Sequence, residues 1–231
     1  MAGPGSGTAA AVGGGDADCG IHRLRLDPQR HPQRRRTCGA DRLPGSNHPM
    51  TDTLPAIVVR SATVLGQGAA LAAVLTPEQY TAVAPGTVAS SVGAHLRHCI
   101  EFYRTLLATL ASGRVDYDLR PRDARLETEP LHAMLQLQAL ARGLSEQVQG
   151  RLDQPLRVRH DYTEARDEDW SDSSVRRELH FLFSHTVHHY ALIAAQLRQI
   201  GIPVADDFGV SPATLRFRQV CGLASAQAVA S

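Results

Sequence analysis

The chain has 231 residues, enough for one large domain or two small ones, and 43% of them are apolar. A net charge of +1 gives no electrostatic reason to expect nucleic-acid binding, and the absence of an apolar run of 18 residues argues against a membrane span. Four cysteines without C-x-x-C spacing favour a reducing, cytoplasmic environment over a disulfide framework: Cys19, Cys38, Cys99 and Cys221.

Residues 1–50 differ in composition from the rest of the chain. A Gly/Ala run over 1–15 is followed by an Arg-, Pro- and Gln-rich stretch over 21–42, with no sustained apolar period. This composition predicts a disordered extension, and a nucleic-acid-binding tail is the weaker alternative. Because a well-patterned stretch begins at Met50, we also hypothesise that the native protein starts there and that the preceding residues are not translated.

The first long helix is predicted over about 54–75, which is apolar and carries few charges. Its β-branched run, Ile57-Val58-Val59, leaves a strand as the alternative. Thr76-Pro77-Glu78 is typical of a cap and the first turn of a short helix, which Ala84-Pro85-Gly86 would end.

The second long helix is predicted over about 87–112 from a heptad-like apolar stripe: Val92, Leu96, Cys99, Tyr103, Leu106 and Leu110. Cys99 lies in this stripe, so we interpret it as a small buried group, and we expect Glu101 on the opposite, polar face. At about 100° per residue, His95 lies about 60° and His98 about 120° from the stripe centre, so helical phase favours His95 as the inward histidine.

A charged segment over about 115–128 has no apolar period and predicts a solvated linker, with a substrate-contacting loop as the alternative. The third long helix is predicted over about 129–150. Residues 152–164 alternate like a short extended segment, and Trp170 is a candidate anchor for the following loop.

The fourth long helix is predicted over about 174–200 and places two histidines, His185 and His189, one turn apart on its apolar stripe. Imidazoles that face a core are costly unless a hydrogen bond or a metal satisfies them. The pair therefore indicates a metal site, and the alternative is two core histidines that bond to neighbouring groups. His188 points to one side and is expected at the bundle boundary.

Four long helices with long connections predict an all-α four-helix bundle over 51–218, with a long crossover between the second and third helices. Residues 219–231 are expected to form a frayed tail. A third histidine from the second helix would complete a three-histidine site with open positions, as catalytic metal sites require.

Two motifs carry a resemblance to a known family: SVGAHLRHCIE over 91–101 and SHTVHH over 184–189. Together they resemble the DinB/YfiT-like superfamily over about residues 55–215. The resemblance implies a four-helix bundle of up-down-down-up order and a three-histidine site for a divalent metal, often zinc or nickel.

The resemblance also implies which histidines bind the metal. The family's histidine on the second helix precedes a short apolar pair and an acidic residue, which matches His98, whereas helical phase keeps His95 as the alternative. The family's later His-x-x-x-His pair matches His185 and His189.

By resemblance, the expected activity is that of a metal-dependent hydrolase or a thiol-dependent transferase. Three neutral imidazoles leave a divalent ion its full charge and at least one open position, where water can be acidified toward a pKa of about 7 or a thiol can bind. We expect a small-molecule substrate, with a low-molecular-weight thiol as one candidate, and neither nucleic acid nor a membrane as partner. The sequence does not decide between monomer and homodimer. The competing class is a non-catalytic metal-binding or dimerising bundle of the stress-response type.

Overall fold

The computed structural model describes residues 54–83, 90–160, 166 and 169–229, with side chains up to residue 222. The predicted N-terminal extension, its alternative as a nucleic-acid-binding tail and the hypothesis of a start at Met50 all fall outside these residues. The described elements follow in chain order: α1 (Ala56–Val74), α2 (Pro77–Thr81), α3 (Val92–Thr109), β1 (Arg114–Asp116), α4 (Arg125–Thr128), α5 (Pro130–Val148), β2 (Pro155–Arg159), β3 (Ser171–Ser174), α6 (Val175–Gln199) and α7 (Pro212–Val229).

Four of the long helices, α1, α3, α5 and α6, form a bundle, which confirms the predicted all-α architecture. Helices α1 and α3 each pack against both α5 and α6. The bundle lies in a compact unit that spans Met50–Ser231. Its core consists of the apolar stripes of these helices, with Leu65, Leu96, Leu137 and Leu179 completely buried. This arrangement sets α3 and α6, the helices that carry the histidines, against each other.

Helix α1 has the length and apolar composition of a membrane-spanning helix, although the sequence contains no uninterrupted apolar run of 18 residues. Half of its most apolar window is buried inside the bundle, where α1 contacts α5 and α6. A mostly apolar helix with buried faces on two sides is typical of the core of a helical protein.

Serine caps fix the first residue of both histidine-bearing helices. The Ser91 hydroxyl accepts a hydrogen bond from the backbone N–H of Ala94 at 3.0 Å at the start of α3. The Ser174 hydroxyl accepts one from Arg177 N–H at 3.3 Å at the start of α6. Each cap satisfies an otherwise unpaired N–H group and thereby fixes the helical phase of the residues that follow.

The connection from α3 to α5 and the connection from α5 to α6 form a small three-stranded sheet, of which only the extended segment over 152–164, around β2, was predicted. Strand β1 pairs in parallel with β2, with Val115 opposite Val158, and β2 pairs antiparallel with β3. The structure therefore corrects the expected irregular linker over about 115–128, which contains α4 and most of β1. Trp170, the candidate anchor of the loop after β2, contacts the sheet: the guanidinium groups of Arg114 and Arg159 lie 4.3 and 4.7 Å from the centroid of its ring.

The C-terminal segment differs from the frayed tail expected over 219–231, because α7 continues to Val229. Before α7, the chain packs back onto the bundle through Phe208, whose ring stacks on that of Tyr190 on α6 with centroids 4.6 Å apart. The Tyr190 side chain in turn packs closely on α1: a Cβ added to Gly68 would lie 2.0 Å from the Tyr190 hydroxyl. Helices α1 and α6 thus approach closely at a glycine.

Candidate metal centre

Three imidazole rings converge where α3 faces α6. His185 Nε2 lies 2.8 Å from His98 Nε2 and 3.0 Å from His189 Nε2. These ring nitrogens lie within 4.8 Å of one another and can hold a metal ion. All three residues are half-buried, so one side of the group remains accessible to solvent. The i,i+4 spacing of His185 and His189 produces their half of the group, because residues four apart share one face of α6.

Protons alone cannot satisfy the two short contacts at His185 Nε2. In a neutral ring this nitrogen carries either one hydrogen or one lone pair, so it can donate to one neighbour or accept from one neighbour. Its two partners are also Nε2 atoms. A cation that accepts a lone pair from each ring satisfies all three nitrogens at once. Three imidazoles are a donor set that suits zinc, nickel, copper or iron.

The environment favours the neutral rings that a metal requires. Burial, with additional repulsion from His185 and Arg120, lowers the pKa of His98 to about 4. Burial, with repulsion from His98 and His185, lowers the pKa of His189 to about 3. Both rings are therefore neutral at pH 7, with a lone pair available on one nitrogen.

His95 also reaches the centre, but through a different atom. It is 6% exposed, as helical phase predicted, and its Nδ1 lies 2.9 Å from Nδ1 of His189. His98, which the motif predicted, is the α3 residue whose nitrogen converges with those of His185 and His189. Phase and motif therefore each identified a residue at the centre. His188 is exposed, and its ring meets His189 edge-on at 5.6 Å.

Aromatic rings line the other side of the imidazole group. Phe102 lies 4.6 Å from His98 and 5.0 Å from His185, measured between ring centroids, and Tyr117 stacks on Phe102 at 4.8 Å. Phe181 lies 5.3 Å from His185. The sequence analysis missed both phenylalanines, although each had a signal: Phe102 follows His98 by four residues, and Phe181 precedes His185 by four.

The prediction that Glu101 lies on a polar, solvent-facing side of its helix is wrong. Glu101 is 2% exposed, because the segment after β1 folds back over α3. Its carboxylate accepts the backbone N–H of Asp123 at 2.9 Å and pairs with Arg120 Nε at 3.4 Å. Glu178 is also buried and accepts hydrogen bonds from the Tyr117 hydroxyl at 2.9 Å and from Arg177 Nη1 at 2.8 Å. Both carboxylates are therefore already engaged.

The prediction that the linker over about 115–128 is solvated is likewise wrong for Tyr117 and Arg120. Tyr117 is completely buried, and the Arg120 side chain is 9% exposed. Arg120 Nη2 lies 3.4 Å from His98 Nδ1, so the linker reaches the imidazole group. Cys99 is 1% exposed, as its place in the apolar stripe predicted. Burial raises the pKa of its thiol to about 12, so it is not a thiolate nucleophile at pH 7.

A comparison with known families identifies the bundle. The profile described as the DinB superfamily matches residues 67–193, which is more than half of the chain and includes both histidine motifs. The chain belongs to the DinB superfamily. The predicted resemblance is thereby confirmed, and the three-histidine group is compatible with a metal site.

Other comparisons add little to the DinB assignment. The chain is similar to FK506-binding protein 5 of Rhizopus delemar, with 29% identity over 103 residues, or 44% of this chain. It spans about a quarter of that curated relative, since the match covers 27% of its length. No solved structure matches the chain.

Proposed function

We propose that His98, His185 and His189 hold one divalent metal ion, zinc or nickel, and that this centre catalyses a reaction on a small molecule. The observation that carries the proposal is the convergence of three Nε2 atoms, two of them 2.8 and 3.0 Å from the third. Membership of a metal-associated superfamily supports it independently.

Three features favour a catalytic over a structural ion. Within the part of the chain that the structure describes, the ligand group has three members, whereas structural zinc sites almost always have four protein ligands. The three rings are half-buried, so a small molecule can approach them. Arg120 of the linker lies beside His98 and is not a ligand, so it is available to contact a substrate.

The protein's own residues would prepare the site for the ion. His95 Nδ1 can accept the hydrogen of His189 Nδ1, which leaves the His189 Nε2 lone pair directed at the centre. Phe102 and Phe181 exclude water from one side of the imidazole group. When bound, a divalent ion would supply Lewis acidity to a water molecule or to a thiol.

Two reactions fit such a centre, and we propose them as alternatives: hydrolysis, or transfer that depends on a low-molecular-weight thiol. Both need only an open coordination position and a small substrate. A non-catalytic metal-binding bundle remains the competing function, and it requires the remaining positions on the ion to be closed to added ligands.

Thiol binding to the cobalt(II)-loaded protein separates these functions. Cysteine and glutathione are added to wild-type protein, and a sulfur-to-cobalt charge-transfer band is sought in the near ultraviolet. We expect the band in wild type and in the control His188→Ala, and its loss together with the metal in His189→Ala. An intact cobalt spectrum with no such band would contradict thiol transfer and leave hydrolysis. A cobalt spectrum that neither thiols nor small anions change would favour the non-catalytic bundle.

A further inference from the structure

The second ring nitrogen of His98 has an unusual neighbour. If His98 Nε2 gives its lone pair to an ion, the ring's hydrogen must lie on Nδ1. Among the described residues, the polar atom at His98 Nδ1 is Arg120 Nη2, at 3.4 Å. A guanidinium group only donates hydrogen bonds, so two donors face each other without an acceptor. His189 differs, because its Nδ1 faces His95 Nδ1, which can accept, at 2.9 Å.

Arg120 is held rigidly in this position. Its Nη1 donates to the backbone carbonyl of Tyr117 at 2.6 Å, and its guanidinium lies 4.8 Å from the ring centroid of Phe102. Its Nε lies 3.4 Å from Glu101 Oε2 but makes no hydrogen bond in the structure. With 9% of the side chain exposed, Arg120 is a fixed donor directed at the centre rather than a mobile surface arginine.

The charge around His98 favours an anion over a neutral acceptor. Two arginines near the centre are matched by two carboxylates, since Arg97 pairs with Glu127 and Arg120 with Glu101. Three neutral imidazoles leave the charge of a divalent ion uncompensated. An anion placed here gains more from the local potential than water does.

We propose that Arg120 Nη2 and His98 Nδ1 form a subsite for an oxyanion group of the substrate, such as a carboxylate, beside the metal centre. Donors 3.4 Å apart are close enough to share one acceptor oxygen at ordinary hydrogen-bond distances. The proposal rests on the proposed function, because the bound ion is what places the hydrogen on His98 Nδ1. It implies that the substrate carries an anionic oxygen close to its reacting group.

Anion titration of the cobalt(II)-loaded protein tests this subsite without an activity assay. Acetate and inorganic phosphate are added separately, and visible absorption reports binding next to the ion. The variants are Arg120→Gln, which removes the charge, and Arg120→Lys, which retains it. Arg104→Gln is the matched control, because Arg104 also pairs with the linker, through Asp123 at 3.5 Å, but is not a neighbour of His98 in the structure.

We expect acetate or phosphate to bind wild type and Arg104→Gln with similar affinity. Arg120→Gln should bind about 10-fold more weakly or worse, the loss typical of a hydrogen bond to a charged group. Arg120→Lys should be intermediate, because an ammonium cannot hold the Tyr117 carbonyl and the His98 edge together. Circular dichroism shows whether Arg120→Gln folds. If it does not fold, Arg120→Lys is the test, and an anion affinity of Arg120→Lys equal to that of wild type overturns the proposal.

Two other results also overturn the subsite. One is equal anion affinity in wild type and Arg120→Gln, which would mean that the anion binds the ion alone. The other is a cobalt spectrum that neither anion changes. Cobalt content is measured before each titration, so a wild-type protein that takes up no metal is recognised separately as a failure of the proposed function.

Discussion

His95 and His98 lie three residues apart on α3 and meet α6 through different ring nitrogens. His98 Nε2 joins the converging group, whereas His95 Nδ1 contacts the far nitrogen of His189. Sequence reasoning found both residues but treated them as alternatives, because helical phase gives a direction relative to the helix's own stripe and not the position of the facing helix. The role of His95 required the position of α6.

Substitution of these two histidines should separate their roles. We expect His98→Ala to bind zinc more than about 100-fold more weakly than wild type, because a ligand is removed. His95→Ala should bind zinc about 10- to 100-fold more weakly, the loss typical of a residue that orients a ligand. Competition with a chromophoric chelator measures both values. The reverse order, with His95→Ala the more damaging, would make His95 the α3 ligand that helical phase favoured.

Acidification should destabilise the metal-free protein. The pKa of His98 is lowered to about 4 in the folded state, mainly by burial, against about 6.5 in an unfolded chain. Between these values the unfolded state binds the extra proton, so the free energy of unfolding rises with pH and falls as pH drops from about 6.5 to 4. Urea unfolding at several pH values in this range measures this dependence. We expect the free energy of unfolding to change less with pH in His98→Gln than in wild type. An equal change in both proteins would contradict the lowered pKa of His98.

The histidines lie on α3 and α6, two of the long helices of the bundle. Apolar stripes predicted α3, α5 and α6, because a helix of 18–25 residues repeats its pattern many times, whereas α1 was predicted from its apolar sequence with few charges. Alternation indicated an extended segment around β2, but β1 and β3 have only three and four residues and α4 has four, too few for a distinctive pattern. The buried position of Glu101 depends on this short linker structure, so it could not be predicted from the stripe of α3.

Two glycines on α1 offer a matched test of the helix packing. Gly68→Ala should destabilise the protein by about 1–3 kcal/mol, because its Cβ would lie 2.0 Å from the hydroxyl of the buried Tyr190 ring, which is stacked on Phe208. Gly66→Ala has nothing within 4 Å and should stabilise by up to about 1 kcal/mol through helix propensity. Urea unfolding measures both, and equal effects would mean that α1 does not pack on Tyr190 as described.

For the molecule as a whole, an ion at this centre would connect helices that are far apart in the sequence. His98 and His185 are separated by 87 positions. Because the unfolded chain lacks the preformed site, binding stabilises the fold by mass action, by about 2.7 kcal/mol when free metal is 100-fold above its dissociation constant. Zinc should therefore raise the Tm of wild type by several degrees and leave that of His189→Ala unchanged, as followed by circular dichroism. The same shift in both proteins would indicate nonspecific binding elsewhere.

Metal content tests the central proposal most directly. Wild type, His189→Ala and the neighbouring control His188→Ala are purified without an affinity tag and analysed by mass spectrometry. We expect about one equivalent of zinc or nickel in wild type and in His188→Ala, and its loss in His189→Ala. A wild-type protein that contains no metal and takes up neither added zinc nor added nickel would contradict the proposal and make the three histidines structural.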